Sequence, residues 1–203
     1  MLLISRPTVE ARGEEVNNVQ TFEVGPLDPG FGHTLGNSLR RTLLSSIPGA
    51  AATRVKFDAV LHEFGVVDGV KEDVQDICLN LKDLLLVVHS DEPVTLRLDK
   101  SGEGPVLASD LSTTADVEVK NPDLHIAYLT GAKSRLAFDL TVERGKGYVG
   151  ADGNKGAGSI GVIPLDAIFS PVRRVSFEVE PTREGQSKDF DKLVLEIETD
   201  GSL

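Results

Sequence analysis

Gly30-Phe-Gly-His-Thr-Leu-Gly-Asn-Ser-Leu-Arg-Arg-Thr-Leu-Leu-Ser-Ser-Ile-Pro-Gly49 is the stretch on which the reading of this chain turns. At about 100° per residue, Leu35, Leu39, Thr42 and Leu43 line one side of a helix. Asn37, Arg41 and Leu44 line a side roughly opposite. Thr34 is a suitable N-cap and Pro48-Gly49 a stop, which predicts a helix from about 34 to 47. An amphipathic core helix with a solvated arginine would show this pattern. So would an interface helix, because its outer side mixes an amide, a guanidinium and a leucine. The pattern alone does not choose between them. The glycines at 30, 32 and 36 give G-x-G-x-x-x-G, one residue off a dinucleotide fingerprint. Pro26-Leu-Asp-Pro29 before them is turn-like and not a buried strand, so a nucleotide site lacks its context.

Outward from this helix, strand-like alternation dominates. Val94, Leu96 and Leu98 alternate with polar residues, as do Val175, Phe177 and Val179, and Leu193, Leu195 and Ile197. Phe22 and Val24 begin a similar pattern. Leu84 to His89 and Val94 to Asp99, around Ser-Asp-Glu-Pro, read as a hairpin. Further strands are expected at 54–64, 117–120, 125–129, 135–143 and 160–165. A second helix is expected from about 70 to 82, with Val70, Val74, Ile77 and Leu81 in register and Glu72, Asp73 and Asp76 near its start. Residues 145–161 are glycine-dense and polar and read as a mobile loop. Many strands and two helices predict an α+β fold of mostly antiparallel sheet.

The 203 residues are 40% hydrophobic and 26% charged, which suits a globular protein of one large or two small domains. A formal net charge of -11 argues against wrapping nucleic acid, which needs a clustered basic face. The lone Cys78 falls in register with Val74, Leu81 and Leu85; a small core residue in a reducing compartment is expected. No apolar run approaches the roughly 20 residues of a membrane span. The start, Met1 to Arg6, has no leader pattern, so the cytoplasm is the expected location. His33, His62, His89 and His125 are dispersed, and His62-Glu63 falls on an expected strand and not in a helical zinc motif. There is no G-x-S-x-G elbow. Asp189 and Asp191, beside Lys188 and Lys192, read from pattern alone as a solvated charge cluster. No catalytic, cofactor or metal site is expected.

The stretch from Pro26 to Gly49 strongly resembles the signature of the bacterial RNA polymerase alpha subunit. Val60-Leu-His-Glu-Phe64, Gly69-Val-Lys-Glu-Asp-Val74 with Leu79-Asn-Leu-Lys82, Val142-Glu-Arg-Gly-Lys-Gly-Tyr-Val149, and Asp189-Phe-Asp-Lys-Leu-Val194 with Glu198-Thr-Asp-Gly-Ser202 match the same family in the same order. The resemblance implies an amino-terminal assembly domain of two lobes. A discontinuous dimerisation lobe would take residues 1–48 and 169–203, and a mainly β lobe, 49–168, would be inserted in it. It implies a homodimer seam at Phe31, Leu35, Leu39 and Leu43, an isologous contact with the same patch on both subunits. It implies that Arg41, Leu44 and Lys82 meet the beta subunit, Arg41 through its five-donor fork. It implies that Asp189, Asp191 and Lys192 meet the beta-prime subunit. Nucleotidyl-transfer chemistry would belong to those large subunits, and this part would be a scaffold without direct DNA contact. Two departures from the family pattern are Gly150, where a proline is usual, and Gly185, where a larger residue is usual.

Overall fold

The computed structural model describes residues 6–154, 160–184 and 187–203, and the backbone alone at 184 and 187–189. In chain order the first elements are β1 (Thr8–Val16), β2 (Val19–Leu27), α1 (Phe31–Ser46), β3 (Pro48–Phe57) and α2 (Val74–Lys82). Then come β4 (Leu86–Val88), β5 (Val94–Ser101), β6 (Gly104–Leu107), β7 (Leu111–Ser112), β8 (Val117–Val119) and β9 (His125–Leu129). The last are β10 (Arg135–Lys146), β11 (Tyr148–Val149), β12 (Val162–Pro164), β13 (Ala167–Ile168), β14 (Val172–Glu184) and β15 (Ser187–Thr199). Among the described residues every strand pair is antiparallel, and with two α-helices the fold is α+β. The chain divides into two compact units. One runs to Ile47 and resumes from Pro171 to Gly201; the other is Pro48–Ser170.

The first unit is a four-stranded sheet in the order β1-β2-β15-β14, with α1 packed on β14 and β15. Asn17 and Asn18 join β1 to β2 at φ of 53° and 61°. Two successive positive φ angles make the tight turn whose twist suits a hairpin, and asparagine tolerates them. Alternation along β15 sends Leu193 and Leu195 into the interior, where they meet Val24 and Leu27 of β2 and Val172 and Val175 of β14. Strand β1 is exposed throughout and forms one edge of the sheet. Its ladder slips between Arg12 and Val16, at a left-handed Gly13, and it carries Glu10, Arg12, Glu14 and Glu15. A bulge and charges of this sort discourage pairing with a foreign strand.

The second unit is built on a sheet ordered β7-β5-β10-β3-β4-β8, with β12 also paired to β3; β6 pairs with β9 and β11 with β13. Phe57 and Phe138 stand opposite each other in the β3–β10 ladder, with ring centroids 5.3 Å apart and tilted by 56°. Leu96, Leu98 and Leu140 surround them. Helix α2 buries Val74, Ile77 and Leu81 in the same core. Asp73 caps it by accepting from the Asp76 amide at 2.8 Å.

Several expectations need correction. Helix α1 begins at Phe31 and not at Thr34, for a reason that lies in β15. Pro48-Gly49 ends the helix but opens β3, which stops at Phe57, so His62-Glu63 is not on a strand. Helix α2 begins at Val74; Val70 instead bridges to Leu129. The expected hairpin of 84–89 with 94–99 does not form. β4 pairs with β3 and β8, while β5 pairs with β10 and β7. The glycine-dense segment begins as strand, since β10 runs to Lys146 and β11 follows; its residues 155–159 lie outside the described residues.

Candidate interaction site

Helix α1 enters from a left-handed turn at Gly30, φ 81°, a conformation that costs glycine nothing. Position 30 has no side chain to cap with, and the first turn carries no acidic residue. The cap comes from β15. Asp191 Oδ2 accepts from the Gly30 amide at 2.8 Å and from the Gly32 amide at 3.4 Å. This satisfies donors that a helix start leaves free, and a carboxylate there also suits the helix dipole.

The two buried positions of α1 are Gly32 and Gly36. A Cβ at 32 would stand 2.7 Å from Val179 Cγ1, and one at 36 would stand 2.6 Å from the Phe177 ring. The glycines therefore let the helix lie directly on β14. They sit one helical turn apart, a spacing inside an amphipathic helix that signals close packing and that went unread in the sequence. Leu35, Leu39 and Leu43 flank them, half-buried on the sheet. Leu44, expected on the opposite side with Arg41, turns instead toward the cluster of Val172, Val175 and Leu195 and is half-buried there. Phe31 is 50% exposed.

The outer side of α1 presents Asn37, Arg40 and Arg41, all exposed. Asn37 Nδ2 donates back to the His33 carbonyl at 3.0 Å, and Ser45 Oγ donates to the Arg41 carbonyl at 2.7 Å. Among the described residues, the Arg41 guanidinium makes no hydrogen bond or ion pair. Its fork of donors faces solvent, ready for a planar acceptor.

Lys82, in the other unit, ends α2 and pairs with Asp166 at 2.8 Å. The pair borders a cleft of about 470 Å³ whose walls include Glu63, Cys78, Leu79 and Pro164. Burial pushes the Cys78 thiol up to about 12, so it is a packing residue and a poor nucleophile. Lys192 pairs with Glu180 at 2.9 Å and with Glu23 at 3.4 Å, its charge held by the Glu180 hydrogen bond first. The Asp189 side chain lies outside the described residues. Among those described, no cluster of His, Cys, Asp or Glu is placed to hold a metal ion, and no helix is long and apolar enough to cross a membrane.

Glu72 ties the start of α2 to β9. Its carboxylate accepts from the Tyr128 amide at 2.7 Å and stands 3.0 Å from His125 Nε2. Desolvation pushes its pKa up, but the His125 and Tyr128 hydrogen bonds outweigh it and leave the carboxyl below its ordinary value. A depressed carboxylate contributes stability above its unfolded pKa and loses it as pH falls through the folded one. Glu72→Gln is therefore expected to cost about 1–2 kcal/mol at pH 7. The deficit should shrink as acid protonates the wild-type carboxyl, which urea melts at pH 7 and pH 3 would read.

These features define an α+β protein in which a β-rich unit is inserted in sequence into a smaller sheet-and-helix unit, whose helix α1 exposes Arg40 and Arg41. The profile described as RNA polymerase Rpb3/RpoA insert domain matches residues 55–170. The DNA-directed RNA polymerase subunit alpha of Corynebacterium glutamicum is 56% identical over 204 residues, covering 100% of this chain and 60% of that protein. The subunit of the same name from Nocardioides sp. is 55% identical over 205 residues, with the same coverage. That of Desulforamulus reducens is 55% identical over 206 residues, 100% of this chain and 65% of that protein. The chain belongs to the bacterial RNA polymerase alpha subunit family. It spans about three fifths of the length of the curated relatives it matches.

Proposed function

We propose that this chain is a non-catalytic assembly scaffold of bacterial DNA-directed RNA polymerase, acting in transcription. It self-associates through one flank of α1, where the exposed Phe31 and the half-buried Leu35, Leu39 and Leu43 supply the seam. The unit running to Ile47 and from Pro171 is then the dimerisation lobe. The beta subunit docks on Arg41, Leu44 and Lys82, and the beta-prime subunit meets the region of Asp189, Asp191 and Lys192. A two-fold dimer offers two identical surfaces, so two different partners can be held by one scaffold.

The observation that carries this reading is the exposed Arg41 guanidinium, without a partner among the described residues, on a helix whose inner face is packed on its own sheet. An arginine held rigidly at its backbone and free at its tip is suited to a partner's carboxylate or carbonyl pair. Co-expression with a bacterial beta subunit, followed by copurification and light scattering, tests it. A complex of two copies with one beta is the expected result. Absence of any complex with a dimer would remove the docking assignment.

Phe31 gives the cleanest probe of the seam, because Leu39 also packs on both clusters of its own unit. Phe31→Asp puts a carboxylate in the first turn of α1, which the helix dipole favours, so the fold should tolerate it. Self-association is expected to weaken by about tenfold or more. Sedimentation equilibrium reads this, and an unchanged dimer would place the seam elsewhere.

A further inference from the structure

The start of α1 is fastened by a strand from the far end of the chain. Position 30 is in a left-handed turn with nothing to cap the helix, and Asp191 fills the role through two amides. Its reach depends on position 32. A Cβ there would stand 2.7 Å from Val179 Cγ1 and 3.3 Å from Asp191 Cβ, so glycine allows this approach without a shift of either neighbour. Asp191 is itself held in place: it pairs with Leu27 in the ladder, at the end of the strand that leads into α1. The next residue, Lys192, is clamped by Glu180 on one neighbouring strand and Glu23 on the other. The Phe31 amide donates locally, to the Asp28 carbonyl at 2.9 Å, while the amides on either side of it are held by the fixed carboxylate.

We infer that Asp191 is a positioning residue for self-association, its carboxylate holding the first turn of α1 so that Phe31 and Leu35 meet a second copy. This rests on the proposed seam. It also gives Asp191 a task inside the fold, so that a loss of assembly on changing it arises upstream of any beta-prime contact.

The test uses the full chain with Asp191→Ala, Asp191→Asn and Phe31→Asp, read by amide hydrogen exchange and sedimentation equilibrium. In Asp191→Ala, exchange at the Gly30 and Gly32 amides is expected to quicken about five- to thirtyfold, as for loss of a cap, with the β10 amides unchanged. Self-association should weaken about tenfold, since each dimer contains the turn twice. Asp191→Asn keeps an acceptor oxygen and should recover most of both effects. Exchange that stays slow at Gly30 and Gly32 would overturn the inference. So would faster exchange with unchanged association while Phe31→Asp still splits the dimer; in that case the seam stands and the coupling fails. If Phe31→Asp leaves the dimer whole, the seam itself is wrong and the inference goes with it.

Discussion

Replacing Arg41 by alanine is expected to leave the fold and the dimer intact and to weaken capture of the beta subunit by about a hundredfold. The first half follows from local chemistry. The guanidinium is exposed and has no partner among the described residues, so its removal breaks no bond of the folded chain. Alanine is as good a helix former as arginine, and the Ser45 bond to position 41 uses the backbone carbonyl, which survives. The second half follows from the interface. A partner group that accepts two parallel N–H bonds is stranded when the fork is withdrawn, and an unpaired buried acceptor costs more than the bond alone. Arg41→Lys separates charge from geometry: it keeps the cation, loses the fork, and should fall between the two. Titration of beta against each variant, with the mass of the free dimer as control, reads the result. Unchanged affinity in Arg41→Ala would sink the role given to this residue.

Gly36→Val should be the most damaging change in the sheet-and-helix unit, destabilising it by about 2–4 kcal/mol. Here α1 lies directly on Phe177 of β14. Three atoms of the Phe177 ring lie 2.6–2.9 Å from where the first side-chain carbon would stand, and one of them is the root of the ring. A ring gripped at its root cannot simply swing aside. The helix must lift, and Leu39 and Leu43 would lose their seats on the sheet. Glycine costs a helix up to about 1 kcal/mol, so the substitution gains a little propensity that offsets part of the clash. Thermal melts and beta capture together distinguish the outcomes. A variant as stable as the parent would mean that the helix rides higher on the sheet than the glycines imply.

What was legible in the sequence is what local periodicity encodes. Alternation placed β5, β14 and β15, and the spacing of Val74, Ile77 and Leu81 placed the buried face of α2, because a side chain's direction depends only on position within its own element. Motif chemistry pointed to α1, to its two faces and to Arg41. The two-residue Asn17-Asn18 turn, a hairpin signal, passed unread, and with it all of β1. The errors share a cause, since each depends on what a residue meets across space. Thr34 looked like a cap because no side chain near it in the chain was better, yet the actual cap is Asp191. Two strands four residues apart looked like a hairpin, yet the ladder put β3 and β10 between them. The glycines of α1, one residue off a dinucleotide fingerprint whose context is missing, serve close packing on Val179 and Phe177, which no local pattern shows. By itself, then, the sequence determined the class of fold and the family. Only the tertiary structure decided strand order, where α1 begins and how closely it lies on its sheet, because those depend on packing and hydrogen bonds between residues far apart in the chain.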